Sequence, residues 1–109
     1  MKDYYNSGTA YYFETPPYCK ILAAIGHGAE NAQHNAELLR SAGMQDKELR
    51  KTIEFLRRHG IVIISGNNGY YFPADENELQ IYINQESRRA KSVFFTLRAA
   101  KNLLKKLQS

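Results

Sequence analysis

Three stretches within the first 60 residues place apolar side chains three or four positions apart, which is the spacing of one face of an α-helix. The first stretch ends at Gly26 or Gly28, the second begins at Asn35 and ends at Gly43, and the third covers 45–60. Their inward positions are Tyr18, Ile21, Leu22 and Ile25, then Leu38, Leu39 and Ala42, and finally Leu49, Ile53 and Leu56. The pattern predicts three helices that share one core.

The third predicted helix, 45–60, combines a buried apolar face with a charged outer face. It has five basic and three acidic residues, for a net charge of +2. Gln45 and Glu48 have the spacing of a weak capping box, and Gly60 stands where a left-handed residue can end the helix. Met44, or at most Met44 and Gln45, separates this helix from the preceding one, so the pair is typical of a helix-turn-helix.

A β-hairpin is predicted directly after this helix. The run IVIIS is rich in β-branched residues, and GNNG at 66–69 has the Asn and Gly residues that tolerate positive φ at a hairpin tip. YYF returns as the second strand, which Pro73 closes. A hairpin that follows a helix-turn-helix defines a winged helix-turn-helix. We therefore expect an α+β, mostly helical fold, with three helices and a β-hairpin wing over 16–74, followed by a long C-terminal helix.

The segment 75–109 contains no Gly or Pro, begins with acids and ends with lysines, as a long helix should. Two series of positions, each repeating every seven residues, interleave as a coiled-coil seam when Glu86 is accepted as one member. We expect dimerisation through this seam, at Ile83, Ala90, Val93, Leu97, Ala100 and Leu104. The alternatives are two shorter helices broken near NQES, a strand over 79–83, and packing onto the chain's own domain.

The first 15 residues hold four Tyr and one Phe without a helical period and are predicted to form an aromatic arm. AYYF within it suits either a short strand or a segment draped over the core. A stacking surface for single-stranded nucleic acid is the functional alternative, but no basic residue accompanies these rings between Lys2 and Lys20. We therefore expect the rings to pack against the domain.

Charge and composition narrow the class of partner. The chain of 109 residues has a net charge of +4 and an isoelectric point near 9.2, which favours an anionic partner. The single Cys19 cannot form an internal disulfide, which fits a reducing compartment. His27, His34 and His59 lack the spacing of metal ligands, so we expect no metal and no cofactor. No window resembles a membrane span or a signal peptide, and we expect a cytoplasmic protein without a membrane partner.

The segments ILAAIGHG, NAELLRSAGMQDKELRKTIEFLRRHGI and GYYFP resemble the winged-helix modules at the N-terminus of biotin operon repressors and of similar small bacterial and phage regulators. The resemblance covers roughly residues 18–74, and the N-cap position holds Gln45 where many such modules have Ser or Thr. The basic helix after the wing resembles small winged-helix proteins of Gram-positive phages and prophages. No biotin ligase domain follows, so the resemblance does not imply that enzyme activity.

The resemblance implies that the helix over 45–59 enters the major groove of DNA while the wing lies along a neighbouring backbone or minor groove. Arg50 is the candidate for bidentate contact with guanine. Glu54 is expected either to accept from cytosine or to pair with Lys51 or Arg50. The predicted DNA-binding residues are Lys47, Arg50, Lys51, Glu54, Asn67 and Asn68.

Two further basic groups have different expected roles. Arg57 and Arg58 are predicted to form a solvated helix end. From Glu86 onward, seven basic residues accompany that single acid, a net charge of +6 that a solvated coiled-coil exterior would not normally show. The candidate secondary nucleic-acid contacts in this segment are Arg88, Arg89, Lys91 and Arg98.

Three hypotheses about function remain open. The leading one is a non-enzymatic double-stranded DNA-binding protein that acts as a transcriptional regulator of phage or prophage type. The second keeps the fold but assigns a phage or plasmid DNA replication accessory role, which the sequence does not separate from the first. The third is a winged-helix protein-interaction module without DNA binding, favoured by Asp46, Glu48 and Glu54 and by the uncharged wing tip. No phosphate loop, nucleophile motif or paired carboxylates indicate an enzyme.

Overall fold

A computed structural model describes residues 7–109, with five α-helices and three short β-strands in that range. The fold is α+β and mostly helical, and it ends in a long helix, as expected. The chain divides into two compact units, Met1–Glu76 and Asn77–Ser109. Residues 1–6, the first part of the predicted aromatic arm, lie outside the described residues.

Helices and strands of the first unit follow the order helix, helix, strand, helix, helix, strand, strand. The helices are α1, Ala10–Glu14; α2, Tyr18–Ala24; α3, Asn35–Ala42; and α4, Asp46–Arg58. The strands are β1, Gly26–His27; β2, Ile64–Gly66; and β3, Gly69–Phe72. Short 3-10 turns at Ser7–Thr9 and Ala29–Asn31 precede α1 and α3. The helix α5, Glu76–Gln108, makes up almost the whole of the second unit.

The three strands form one sheet in the order β1-β3-β2. β3 pairs antiparallel with β2, with Ser65 opposite Tyr70, and it pairs parallel with β1. The predicted hairpin is therefore confirmed as the β2–β3 pair, although its first strand begins at Ile64 rather than at Ile61.

Strand β1 replaces the predicted end of the first helix. Helix α2 ends at Ala24 because Ile25 adopts an extended backbone conformation, with φ −74° and ψ 128°. The chain then runs beside β3, and the backbone N–H of Gly28 donates a 2.7 Å hydrogen bond to the carbonyl oxygen of Phe72. A strand of two residues has no period of its own, so the hydrophobic pattern could not indicate it.

The hydrophobic core of the first unit joins α2, α3, α4 and the sheet. Leu49, Ile53 and Leu56 are at most 1% exposed, which confirms the predicted inner face of α4. Ile61 and Ile63 are equally buried although they precede β2. The rest of this core consists of Ile21, Leu22, Ile25, Leu38, Tyr70 and Phe72.

The segment AYYF forms part of helix α1 rather than a strand or an irregular arm. Tyr12 and Phe13 are partly buried and pack against the core, which confirms that these two rings pack on the domain, whereas Tyr11 is 59% exposed. A helix of five residues is little more than one turn long, so its period is too short to recognise in the sequence.

Glycines end the second and third predicted helices, but the predicted capping box does not form. Gly43 has a φ of +65°, and the backbone N–H of Met44 donates a 3.1 Å hydrogen bond to the Leu39 carbonyl oxygen. Gly60 has a φ of +96° just after α4. Gln45 stands at the N-cap of α4, where its side chain makes no capping hydrogen bond.

Helix α5 is unbroken over 33 residues, so neither the break near NQES nor the strand over 79–83 occurs. At 1.5 Å per residue it is about 50 Å long. None of its residues is buried. Among the described residues, no helix combines the length and the apolar character needed to cross a membrane.

Candidate nucleic-acid interface

Four of the six predicted DNA-binding residues lie together on the outer face of α4. Lys47, Lys51 and Glu54 follow one another at intervals of four and three residues, so they lie on the side of the helix opposite its buried face. All three are exposed. Within residues 7–109, Lys47 and Lys51 form no ion pair, so their ammonium groups are available to an anionic partner.

Arg50 lies at the edge of this outer face and forms an ion pair. Its Nε lies 3.1 Å from Oδ2 of Asp46, one turn earlier, and the two side chains are 70% and 51% exposed. An exposed pair of this kind contributes at most about 1 kcal/mol. Arg50 can therefore exchange Asp46 for a bidentate contact with a base or phosphate at little cost.

Glu54 forms ion pairs, but not with Lys51 or Arg50, so the predicted partners are wrong. Its carboxylate oxygens lie 3.9 Å from Arg57 and 3.8 Å from Arg58, not beside Lys51 or Arg50. In an α-helix these arginines follow Glu54 by three and four residues and face it directly. The negative charge of Glu54 is thus partly balanced towards the end of α4.

Arg57 is not a solvated helix end, contrary to the sequence-based expectation. Its Nε donates a 2.8 Å hydrogen bond to the Ile63 carbonyl oxygen, and its terminal nitrogen donates a 2.9 Å hydrogen bond to Oγ of Ser65. Its guanidinium carbon lies 6.0 Å from the centre of the Tyr70 ring. The side chain is 23% exposed, compared with 76% for Arg58, which is solvated as predicted. Arg57 therefore fixes the β2–β3 hairpin to α4.

Asn67 and Asn68 form the exposed tip of the hairpin between β2 and β3. Neither has a positive φ, and the tip uses Gly69 instead, with a φ of +117°. A Cβ atom on Gly69 would collide with the carbonyl group of Gln33. Gln33 and Tyr70 exchange two backbone hydrogen bonds of 2.9 and 3.0 Å, which holds the hairpin against the segment before α3.

A shallow groove of about 610 Å³ runs along the exposed side of α4. It is lined by Arg50, Lys51, Glu54, Phe55, Arg58 and His59. Phe55 and His59 were not predicted as site residues, because a ring beside an apolar face looks like a core extension in sequence. The Phe55 ring lies 4.1 Å from the His59 ring and stacks on Tyr18 at 5.5 Å, centre to centre. The groove thus has an aromatic wall beside basic residues.

The predicted secondary contacts on α5 form a basic surface of their own. Arg88, Arg89, Lys91 and Arg98 are all exposed. Arg89 lies 3.4 Å from Glu86, while the other three form no ion pair with a residue in the range 7–109.

The outer face of α4, the hairpin tip and the basic surface of α5 present exposed lysine, arginine and amide side chains. Such groups bind phosphates and hydrogen-bond to base edges. In the described part of the chain, no three His, Cys, Asp or Glu side chains are grouped so that they could hold a metal ion. Comparison with protein-family models, curated proteins and solved structures gives no match to this chain. What the surfaces do has to follow from their own residues.

Proposed function

We propose that this chain is a non-enzymatic, cytoplasmic protein that binds double-stranded DNA as a winged helix-turn-helix and regulates transcription, of the type found in phages and prophages. Helix α4 is the major-groove element, and the β2–β3 hairpin is the wing. The roles follow the resemblance described above: Arg50 contacts a base, Lys47 and Lys51 contact bases or phosphates, and Asn67 and Asn68 contact phosphates.

The observation that carries the proposal is the outer face of α4. Within the described range 7–109, this face presents Lys47 and Lys51 without an ion pair beside Arg50, whose one ion pair in that range is exposed. The preceding helix α3 ends at Ala42, and only Gly43, Met44 and Gln45 separate it from the start of α4. A helix-turn-helix uses such a short turn to present its second helix to the major groove.

The hairpin adds independent support. It follows α4 directly, as a wing should, and Arg57 holds it to that helix through the carbonyl of Ile63 and the hydroxyl of Ser65. A wing fixed to the recognition helix has a defined position on the neighbouring DNA backbone. Its tip carries amides rather than cations, so the wing contributes orientation more than electrostatic affinity.

Helix α5 has two proposed roles. The part of its apolar seam from Ile83 to Leu104 joins two copies of the chain, since an unpartnered seam of this length is costly to leave in water. Its basic residues, Arg88, Lys91 and Arg98 among them, provide a second contact with nucleic acid.

Selection of bound sites from a random double-stranded DNA pool, with the purified full chain, tests the main proposal. We expect enrichment of a defined sequence, with symmetrical half-sites if the bound species is a dimer. Affinity without any enriched sequence would remove the regulatory role. No binding at any salt concentration would refute DNA binding itself.

A protein-interaction module is the second candidate. Two arginines on α4 already form ion pairs with acidic side chains of the same helix, which reduces the positive charge offered to DNA. Asp46 pairs with Arg50, and Glu54 pairs with Arg58. Titration of salt against binding to random DNA separates the two candidates. A DNA-binding protein loses affinity steeply as salt rises, with a logarithmic slope of about 0.9 for each phosphate contact. Absence of affinity even at low salt would favour a protein partner.

A further inference from the structure

The apolar seam of α5 is exposed to solvent over most of the helix. The helix has 33 residues, none of them buried, and the side chains of Val93, Leu97 and Leu104 are 62%, 50% and 54% exposed. The seam follows alternating steps of four and three residues from Leu79 to Leu107, which is the pattern of a helix that pairs with another helix.

The charges of α5 are separated along its length. The acids Glu76, Glu78 and Glu86 all lie in its first third, and every one of its seven basic residues follows between Arg88 and Lys106. One end of the helix is therefore acidic and the other is basic.

We propose that α5 pairs with α5 of a second copy of this chain in antiparallel orientation. The inference rests on the dimer proposed above and adds its geometry. Antiparallel pairing brings the acidic end of each helix beside the basic end of the other, with Glu78 level with the partner's Lys105. Parallel pairing in register would instead set acids beside acids and bases beside bases along the whole length.

Seam packing favours the same orientation. In a register centred between Lys91 and Ser92, Ile83 faces the partner's Ala100, and Ala90 faces the partner's Val93. Each alanine then meets a larger side chain, so the layers are filled evenly. A parallel pair would have alanine facing alanine at two levels, which leaves gaps.

Glu86 provides the sharpest distinction, because it lies in the seam itself. In a parallel pair the two Glu86 carboxylates would face each other, at the cost of like-charge repulsion in a partly dry interface. In the antiparallel register they are roughly 16 Å apart along the axis. Each Glu86 then faces the partner's Leu97 while keeping its 3.4 Å contact with Arg89 on its own helix.

Spin labels on the full chain measure the orientation directly. The native Cys19 is replaced by Ser, and one label is placed through Asn77→Cys or, as the control, through Ser92→Cys. The antiparallel dimer separates the two labels at position 77 by about 44 Å along the axis. A parallel dimer brings them within about 15 Å. Labels at position 92, near the midpoint, are close in either orientation.

A long distance at position 77 together with a short one at position 92 is the expected result. A short distance at both positions would overturn the antiparallel orientation and leave the dimer intact. No measurable coupling at position 92 would refute the dimer itself and, with it, this inference.

A second test leaves Cys19 in place and uses the exposed Gln80, which flanks the seam. In the antiparallel pair Gln80 lies near the partner's Lys101, whereas in a parallel pair it lies near the partner's Asp75. By sedimentation equilibrium we expect Gln80→Glu to strengthen dimerisation about threefold and Gln80→Lys to weaken it about threefold. If Gln80→Lys strengthens dimerisation and Gln80→Glu weakens it, the dimer is parallel. If the two variants change dimerisation equally, Gln80 does not lie near a charged residue of the partner and the proposed pairing is wrong.

Discussion

Arg57 and Arg58 are neighbours in sequence with opposite surroundings, and they make a matched pair for mutation. Both lie near Glu54, but only Arg57 donates to the Ile63 carbonyl and to Ser65. Arg57→Ala should destabilise the fold by about 2 kcal/mol, because it removes charge-assisted hydrogen bonds and leaves a backbone acceptor unpaired.

Arg58→Ala is the control, and it should change stability by no more than about 0.5 kcal/mol, since this side chain is solvated. Denaturant unfolding of both variants measures the difference. Equal losses would show that the bonds from Arg57 to the hairpin contribute nothing to stability.

Arg50 is the residue on which base recognition depends in the proposed function. Arg50→Ala should cost about 1 to 3 kcal/mol on the selected DNA site and relax base preference at one position. Arg40→Ala on α3 is the matched control, because Arg40 is also exposed and also forms an ion pair within its own helix, with Glu37 at 3.0 Å. The control variant should change the affinity for all DNA sequences by the same factor. Repeated site selection with each variant makes the comparison, and an unchanged preference in Arg50→Ala would end its assigned role.

At the scale of elements, the position of the hairpin depends on a close contact between the backbones of Gly69 and Gln33. Gly69 has a φ of +117° and lies against the Gln33 carbonyl, so Gly69→Ala meets both backbone strain and a collision. Gly43 also has a positive φ, +65°, but nothing lies within 4 Å of the place where its Cβ would be.

Gly69→Ala should therefore cost at least about 2 kcal/mol, and Gly43→Ala only about 1 kcal/mol. Hydrogen exchange should show lost protection at the Tyr70 amide in the first variant alone, since that amide donates to Gln33. A larger loss for Gly43→Ala would contradict the role given to the contact between Gly69 and Gln33.

The helices that the sequence predicted well are those whose apolar repeat extends over more than two turns. Helix α4 shows its inner face at Leu49, Ile53 and Leu56, and α5 shows its seam over 33 residues. Helix α1 and strand β1 have five and two residues, too few for a period to emerge. In both cases tertiary packing, not local pattern, determines the conformation.

The candidate site divides in the same way. Exposure of Lys47 and Lys51 follows from their helical positions alone, so the sequence could predict it. The contact of Arg57 with Ser65 spans a turn whose path the sequence does not specify. The wall formed by Phe55 and His59 depends on how α1 and α2 bring Tyr12 and Tyr18 beside them. Contacts between elements were therefore the part that pattern and charge could not supply.

At the scale of the whole molecule, the charge is unevenly divided between two basic surfaces. Helix α4 and its flanks, 45–60, carry a net charge of +2, whereas the segment from Glu86 onward carries +6. Under the proposed function, α4 supplies sequence preference and α5 supplies much of the sequence-independent affinity, because phosphate attraction depends on charge while base recognition depends on placement.

Two charge-matched double variants test this division. Lys47→Gln with Lys51→Gln and Lys91→Gln with Arg98→Gln each remove two positive charges from the chain. Both should weaken binding to random DNA and lower the salt slope by up to about 1.8, the value for two lost phosphate contacts. Only the α4 variant should also lower the ratio of affinities for selected and random DNA, because only α4 contacts base edges.

If the α5 variant leaves the affinity for random DNA unchanged, α5 is not a nucleic-acid-binding surface. If both variants lower the ratio equally, sequence preference does not reside in α4.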